Sequence, residues 1–144
     1  ENITGLLLLD VIEHLPEPEA FLKKLEQSFP RLEVVIITVP TCQELWSNYD
    51  TYYGHYRRYT LEMLEALDQD RGWTTRTCGY FFRIPYLPMW LMSLIGVERS
   101  LTIDPPGNAK RPLHRLIAKL SNWEQAIVPR RVKGLRAYAE YSPG

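Results

Sequence analysis

This sequence is short of cysteine, of net charge and of long apolar runs, and each shortage removes a class of function. Its 144 residues include 2 cysteines, Cys42 and Cys78. They are far apart and form no C-x-x-C pair, which argues against a secreted disulfide framework and a thiolate zinc site. A reducing, cytoplasmic compartment is the expectation. Lys and Arg number 17, Asp and Glu number 17, and the formal net charge is zero. A chain that binds nucleic acid as its main task shows a basic excess, so no nucleic-acid partner is expected. The most apolar stretch, "IPYLPMWLMSLIGV" at 84–97, is interrupted by Pro85 and Pro88 and is too short to span a bilayer. No internal repeat and no low-complexity tract is visible. A basic leader is not seen either, and the chain starts with "ENITGLLLLDVIEHL", without an initiator Met. We expect a piece of a longer protein. Hydrophobic residues at 45% suffice for the core of one domain over 1–144.

What is present has a strand–helix rhythm. Leu6 to Leu9 form a continuous apolar run, as in a parallel strand covered on both faces. Phe21, Leu22, Leu25 and Phe29 recur at near-helical spacing, and Pro18 suits the first turn. "EVVIITVP" is β-branched and ends at Pro40. Strand, helix and strand in so short a span make a βαβ unit with parallel strands. Thr41 to Tyr59 has little periodicity and reads as a long loop at the carboxyl end of the second strand, where open α/β sheets bind ligands. Thr60 is a good N-cap for a helix with Leu61, Leu64 and Leu67 inward and Gly72 as terminator. "WTTRTCGYFF" suits a third strand. A helical insert at about 84–128 follows. It contains a turn-rich linker, "TIDPPGNAKRP", and an amphipathic helix between Pro112 and Pro129 with Leu113, Leu116, Ile117, Leu120, Trp123 and Ile127 on one face. "LRAYAEYS" alternates as a last strand.

The joints of this pattern carry a resemblance. "LLLLDVIEHLPEPEAFLKKL", "VVIITVP", "YDTYYGHYRRYTLEMLEAL" and "GYFF" together resemble the second half of a class I S-adenosylmethionine-dependent methyltransferase. More narrowly, they look like small-molecule methyltransferases with a D-V-x-E-H-x-x-x-P segment followed by G-H-Y-R-R-Y-T. The resemblance runs from Leu6 to Tyr141. It implies an α/β, Rossmann-like fold in partial form, strands four to seven in a mixed, mostly parallel sheet with flanking helices. The family's strand order, 3-2-1-4-5-7-6, would reduce to 4-5-7-6, and the strand at 6–11 would be an unprotected apolar edge, prone to self-association with a second copy. The departure is the family's glycine-rich cofactor loop: no G-x-G-x-G occurs anywhere in the chain. Activity of this chain alone is not expected.

The resemblance also implies roles. S-adenosylmethionine is the expected cofactor of the intact protein, and Asp10, Val11, Ile12 and Glu13, at the end of the first strand, are the candidate cofactor residues. His14 and His55 are the candidate catalytic bases, since methyl transfer needs alignment and, for some acceptors, removal of a proton. Trp46, Tyr49, Tyr56, Arg57 and Arg58 are candidates for holding a small-molecule or lipid-linked acceptor. Guanidinium forks suit anionic groups, although one arginine could form a structural ion pair with an acid such as Asp50. Gly54 permits an unusual turn. No metal is expected: Asp10, Glu13 and His14 are near-adjacent on one tight turn and would rarely converge on an ion. Residues 84–97 are read as packing on the sheet or on a partner chain, with peripheral membrane contact as the alternative. The rival to the whole reading is a non-catalytic Rossmann-like interaction module or subunit.

Overall fold

A computed structural model describes residues 3–69, 71–96 and 111–144, apart from the side chains of Arg111, Leu113, His114 and Ile117. Most of the expected linker at 102–112, and the Leu113 and Ile117 side chains expected on the amphipathic face, lie outside the described residues.

Strand β1 (Gly5–Leu9), helix α1 (Pro18–Ser28) and strand β2 (Val34–Pro40) form the βαβ unit, with β1 and β2 parallel and Leu7 opposite Ile36. Pro18 stands in the first turn of α1, where its missing N–H costs nothing. Leu22 of that helix is fully buried, and Phe21, Leu25 and Phe29 pack beside it. Short helix α2 (Asn48–Tyr52) and helix α3 (Leu61–Ala66) precede strand β3 (Thr74–Phe81). Helices α4 (Tyr86–Leu94) and α5 (Arg111–Ile127) lead to strand β4 (Arg136–Ser142). Thr60 caps α3 as expected, its hydroxyl accepting from the Met63 N–H at 3.2 Å. The helix ends well before Gly72, which instead takes a left-handed turn at φ +67°.

The sheet order is β1-β2-β4-β3, which is the expected 4-5-7-6. The first three strands of the chain run one way and β4 runs against them, antiparallel to both β2 and β3. One face of the sheet carries the core. Leu8, Val35, Ile37, Val39, Ala137, Ala139 and Tyr141 alternate onto it and meet Leu22, Leu61 and Leu64 from α1 and α3. The Tyr141 hydroxyl, deep inside, donates to the Leu64 carbonyl at 2.7 Å.

Two expectations need correction. β1 is covered on one face, not two: Leu7 and Leu9 are 65% and 57% exposed. Its apolar run reflects a strand built for company on its second face, which none of the described elements supplies. α4 does not pack on the sheet and buries none of its residues. It rests on the turn at Gln43–Leu45, with the Tyr86 hydroxyl donating to Glu44 at 2.9 Å. α5 is the expected helix; Leu116, Trp123 and Ile127 on its apolar face are exposed, and among its described side chains Ser121 and Glu124 are buried. Glu124 accepts from the Arg83 and Ile84 N–H groups at 2.8 to 2.9 Å, just ahead of α4. The helix is thus held by a buried carboxylate, which hydrophobic spacing cannot reveal.

Candidate active site

The carboxyl ends of β1 and β2 are adjacent because the two strands are parallel neighbours, and the polar joints of the sequence meet there. β1 stops at Asp10, a non-glycine residue at φ +55° whose N–H donates to the Thr38 carbonyl of β2 at 3.0 Å. The Asp10 carboxylate pairs with Arg136 of β4 and accepts from the Thr38 hydroxyl at 3.4 Å. A single 3-10 turn, Ile12–His14, follows. It drives Ile12 into the core and Glu13 inward, leaves His14 exposed, and holds Val11 half-buried.

The Tyr52–Thr60 segment crosses these ends and is stitched to both. The Tyr59 N–H donates to the Pro40 carbonyl at 2.9 Å, and its hydroxyl donates to the Ile12 carbonyl at 3.2 Å. The Tyr56 N–H donates to the Glu13 carbonyl at 2.8 Å. Gly54 sits at φ +71°, the left-handed turn its residue type allows. Burial pushes the Tyr59 hydroxyl up to about 12, so it remains a proton donor.

Asp50 organises the loop from within. It is fully buried and accepts from Arg58 Nε at 2.8 Å and Nη2 at 2.9 Å, forming a two-pronged pair. It also accepts from the Ser47 N–H at 2.9 Å, closing the capping box that starts α2. His55 Nδ1 lies 2.9 Å from its other oxygen. Burial pushes the Asp50 carboxyl up, but the Arg58 guanidinium and the Ser47 amide outweigh it and hold the pKa below its usual value. An ionised Asp50 only accepts, so Nδ1 of His55 is the donor of this pair.

Arg58 is therefore the structural arginine. The sequence placed it among residues for holding an acceptor; its guanidinium is buried and committed to Asp50 and to the Thr41 carbonyl, 2.9 Å from Nη1. Arg57 is half-exposed and donates to the Pro16 carbonyl at 2.6 Å. It lines a hollow of about 280 Å³ with Glu19, Tyr59 and Arg71. Tyr56 is exposed, Trp46 donates to the Thr51 hydroxyl at 3.3 Å, and Tyr49 stacks on Tyr53 with ring centres 4.4 Å apart.

The structure brings His14 and His55 together from the two motifs, edge to face, with ring centres 4.7 Å apart. Glu13 lies beside them, 1% exposed, and among the described residues neither carboxylate oxygen has a hydrogen-bond partner of ordinary geometry. Burial raises its pKa to about 7, the nearby backbone amide of Glu13 pulling it partly back. Two residues that matter here were not among the candidates: Ser47, legible as the S-x-x-D of a capping box, and Tyr59, whose hydroxyl ties the loop to Ile12.

No protein-family profile matches the chain, and no curated protein does. Among solved structures, a SAM-dependent methyltransferase from Archaeoglobus fulgidus aligns over 97% of this chain at 13% identity with a TM-score of 0.50. The fold is a Rossmann-like class I methyltransferase fold. The chain spans about 59% of the length of that methyltransferase. A cyclopropane-fatty-acyl-phospholipid synthase-like protein from Lactobacillus casei aligns over the whole chain and 57% of its own, at 10% identity and a TM-score of 0.42.

Proposed function

We propose that this chain is part of an S-adenosylmethionine-dependent methyltransferase acting on a small-molecule or lipid-linked acceptor. The observation that carries the reading is the seating of the G-H-Y-R-R-Y segment on the D-V-I-E-H turn, over the carboxyl ends of β1 and β2, where this fold class binds its ligands. The bound cofactor would supply an activated methyl group. The residues present fit one wall of its site. Asp10 and Val11 stand half-exposed at the end of the open edge strand, while the glycine cradle that admits the cofactor's chain is not among the 144 residues. The chain alone is then inactive.

The histidines are the residues that would handle a proton. His14 is exposed and meets His55 edge-on, and Asp50 takes the Nδ1–H of His55, which makes Nε2 the acceptor when the ring is neutral. Arg57, Tyr56, Tyr49 and Trp46 would face the acceptor. An apolar stripe on and around α4, Ile84, Leu87, Leu91, Leu94 and Ile95, is exposed, which suits a lipid-linked acceptor and peripheral contact with a membrane surface. No helix among the described residues is long and apolar enough to cross a membrane.

The test is transfer of labelled methyl from S-adenosylmethionine by a polypeptide extended to include a glycine-loop segment, with label counted in organic and aqueous fractions of a cell extract. Label in either fraction that drops on His14→Ala supports the reading. Cofactor binding with no label in either fraction overturns it, and favours the rival interaction module. The bare, apolar edge of β1 is the observation that favours that rival.

A further inference from the structure

We infer that Glu13, His14 and His55 form a binding site for a divalent transition-metal ion. One ligand atom from each lies within 4.8 Å of the other two. The set draws on two separate loops, so it escapes the objection that neighbours on one turn cannot converge. Asp10 is not part of it, because its carboxylate is turned to Arg136.

Three features separate this cluster from a chance meeting of polar side chains. Glu13 is buried, and both its oxygens are without a partner among the described residues. A buried polar group left this way is costly and calls for an explanation. His55 is oriented by the arrangement that commonly supports a metal-binding imidazole: Nδ1 is held 2.9 Å from a carboxylate oxygen, and Nε2 has no hydrogen bond among the described residues. That carboxylate, Asp50, is itself locked by Arg58. The two loops are pinned to each other by the Tyr56 N–H on the Glu13 carbonyl at 2.8 Å, so the donors are held close before any ion arrives.

The donor chemistry selects the ion class. Two imidazoles and one carboxylate suit Zn²⁺, Co²⁺, Mn²⁺ or Fe²⁺, while Mg²⁺ and Ca²⁺ prefer oxygen alone. Bonds of roughly 2.0 to 2.2 Å need donors within about 4 Å of one another, so the cluster must close slightly. His14 is exposed, with one ring contact among the described residues, to His55, so closing the cluster asks for a rotation of a solvent-facing side chain. Three protein ligands on one side leave further positions open for water or a ligand. An ion held here would take the imidazole lone pairs, so His14 and His55 would not then serve as the bases of the proposed function. The inference does not depend on methyl transfer, and its test needs only this chain.

The experiment titrates the chelator-treated 144-residue chain with Co²⁺, read by visible absorption, and with Zn²⁺, read by calorimetry. The expected result is one ion per chain and a cobalt spectrum of low coordination number. Glu13→Gln, His14→Ala and His55→Ala should each weaken binding by about 100-fold or more, at or above the upper end of the loss from an outer-shell partner. Circular dichroism checks each fold. If His55→Ala does not fold, Glu13→Gln, an isostere, and His14→Ala, an exposed site, decide. Glu62→Gln, an exposed carboxylate on α3, is the control and should change nothing. No uptake, unaltered binding by Glu13→Gln, or loss on Glu62→Gln would each overturn the inference.

Discussion

Replacing Arg58 by alanine should cost far more than replacing its neighbour Arg57, although the sequence presents them as a pair. Asp50 is fully buried and its two oxygens accept from Arg58 twice, from the Ser47 N–H and hydroxyl, and from His55. Removing the guanidinium leaves that carboxylate with the Ser47 and His55 donors alone and strips the Thr41 carbonyl of its partner. Breaking a buried pair from one side costs about 3 to 5 kcal/mol. That is a large part of the total stability of a domain, about 5 to 15 kcal/mol. Arg57 offers one hydrogen bond to Pro16 from a half-exposed position, worth about 1 kcal/mol. Urea unfolding at neutral pH, followed by far-ultraviolet dichroism, measures both. Arg58→Lys should fall between them, since an ammonium cannot make the two-pronged contact. An Arg58→Ala cost no larger than that of Arg57→Ala would refute the placement of Asp50 as the centre of the loop.

Other outcomes follow from the same geometry. In metal-free buffer the raised Glu13 pKa makes the folded chain bind a proton that the unfolded chain has released, so its stabilising effect is full below about 4.5 and is lost as pH rises through about 7. Glu13→Gln should flatten that slope in denaturation curves taken across the interval; an unchanged slope contradicts it. The Cys78 thiol, pushed up to about 11 by burial, should alkylate at pH 8 on the order of 100-fold slower than free cysteine; reaction at the free rate would contradict its placement. Self-association through β1 is a proposal with a direct check: sedimentation at micromolar concentration should show dimers, and Leu7→Lys with Leu9→Lys should dissolve them. A stable wild-type monomer defeats it.

Much of the fold was legible because its signals are local. Pro18 at a helix start, Thr60 at an N-cap, the β-branched run at 34–39 and the alternation of Ala137, Ala139 and Tyr141 each report an element without help from distant residues. The strand order was legible only through the resemblance, since nothing local tells β4 to insert between β2 and β3. The site was half legible. Its two motifs stood out, yet which arginine turns inward depends on where Asp50 sits in three dimensions, and the meeting of His55 with Glu13 and His14 depends on the crossing of a loop over two strands. For α4 and α5 the helices were legible but their surroundings were not: an apolar stretch or face says nothing about whether a neighbour covers it. On α5 the buried residue that matters is Glu124, a carboxylate holding the N–H groups of Arg83 and Ile84.

The most direct measurement is calorimetric titration of the chain with S-adenosylhomocysteine, first alone and then joined to a segment that supplies the glycine cradle. If this chain is one wall of a methyltransferase cofactor site, the chain alone gives no measurable heat while dichroism shows it folded, and the completed protein binds at micromolar concentration. Micromolar binding by the chain alone would contradict the one-wall account, and a completed, folded protein that still gives no heat would contradict the methyltransferase reading itself.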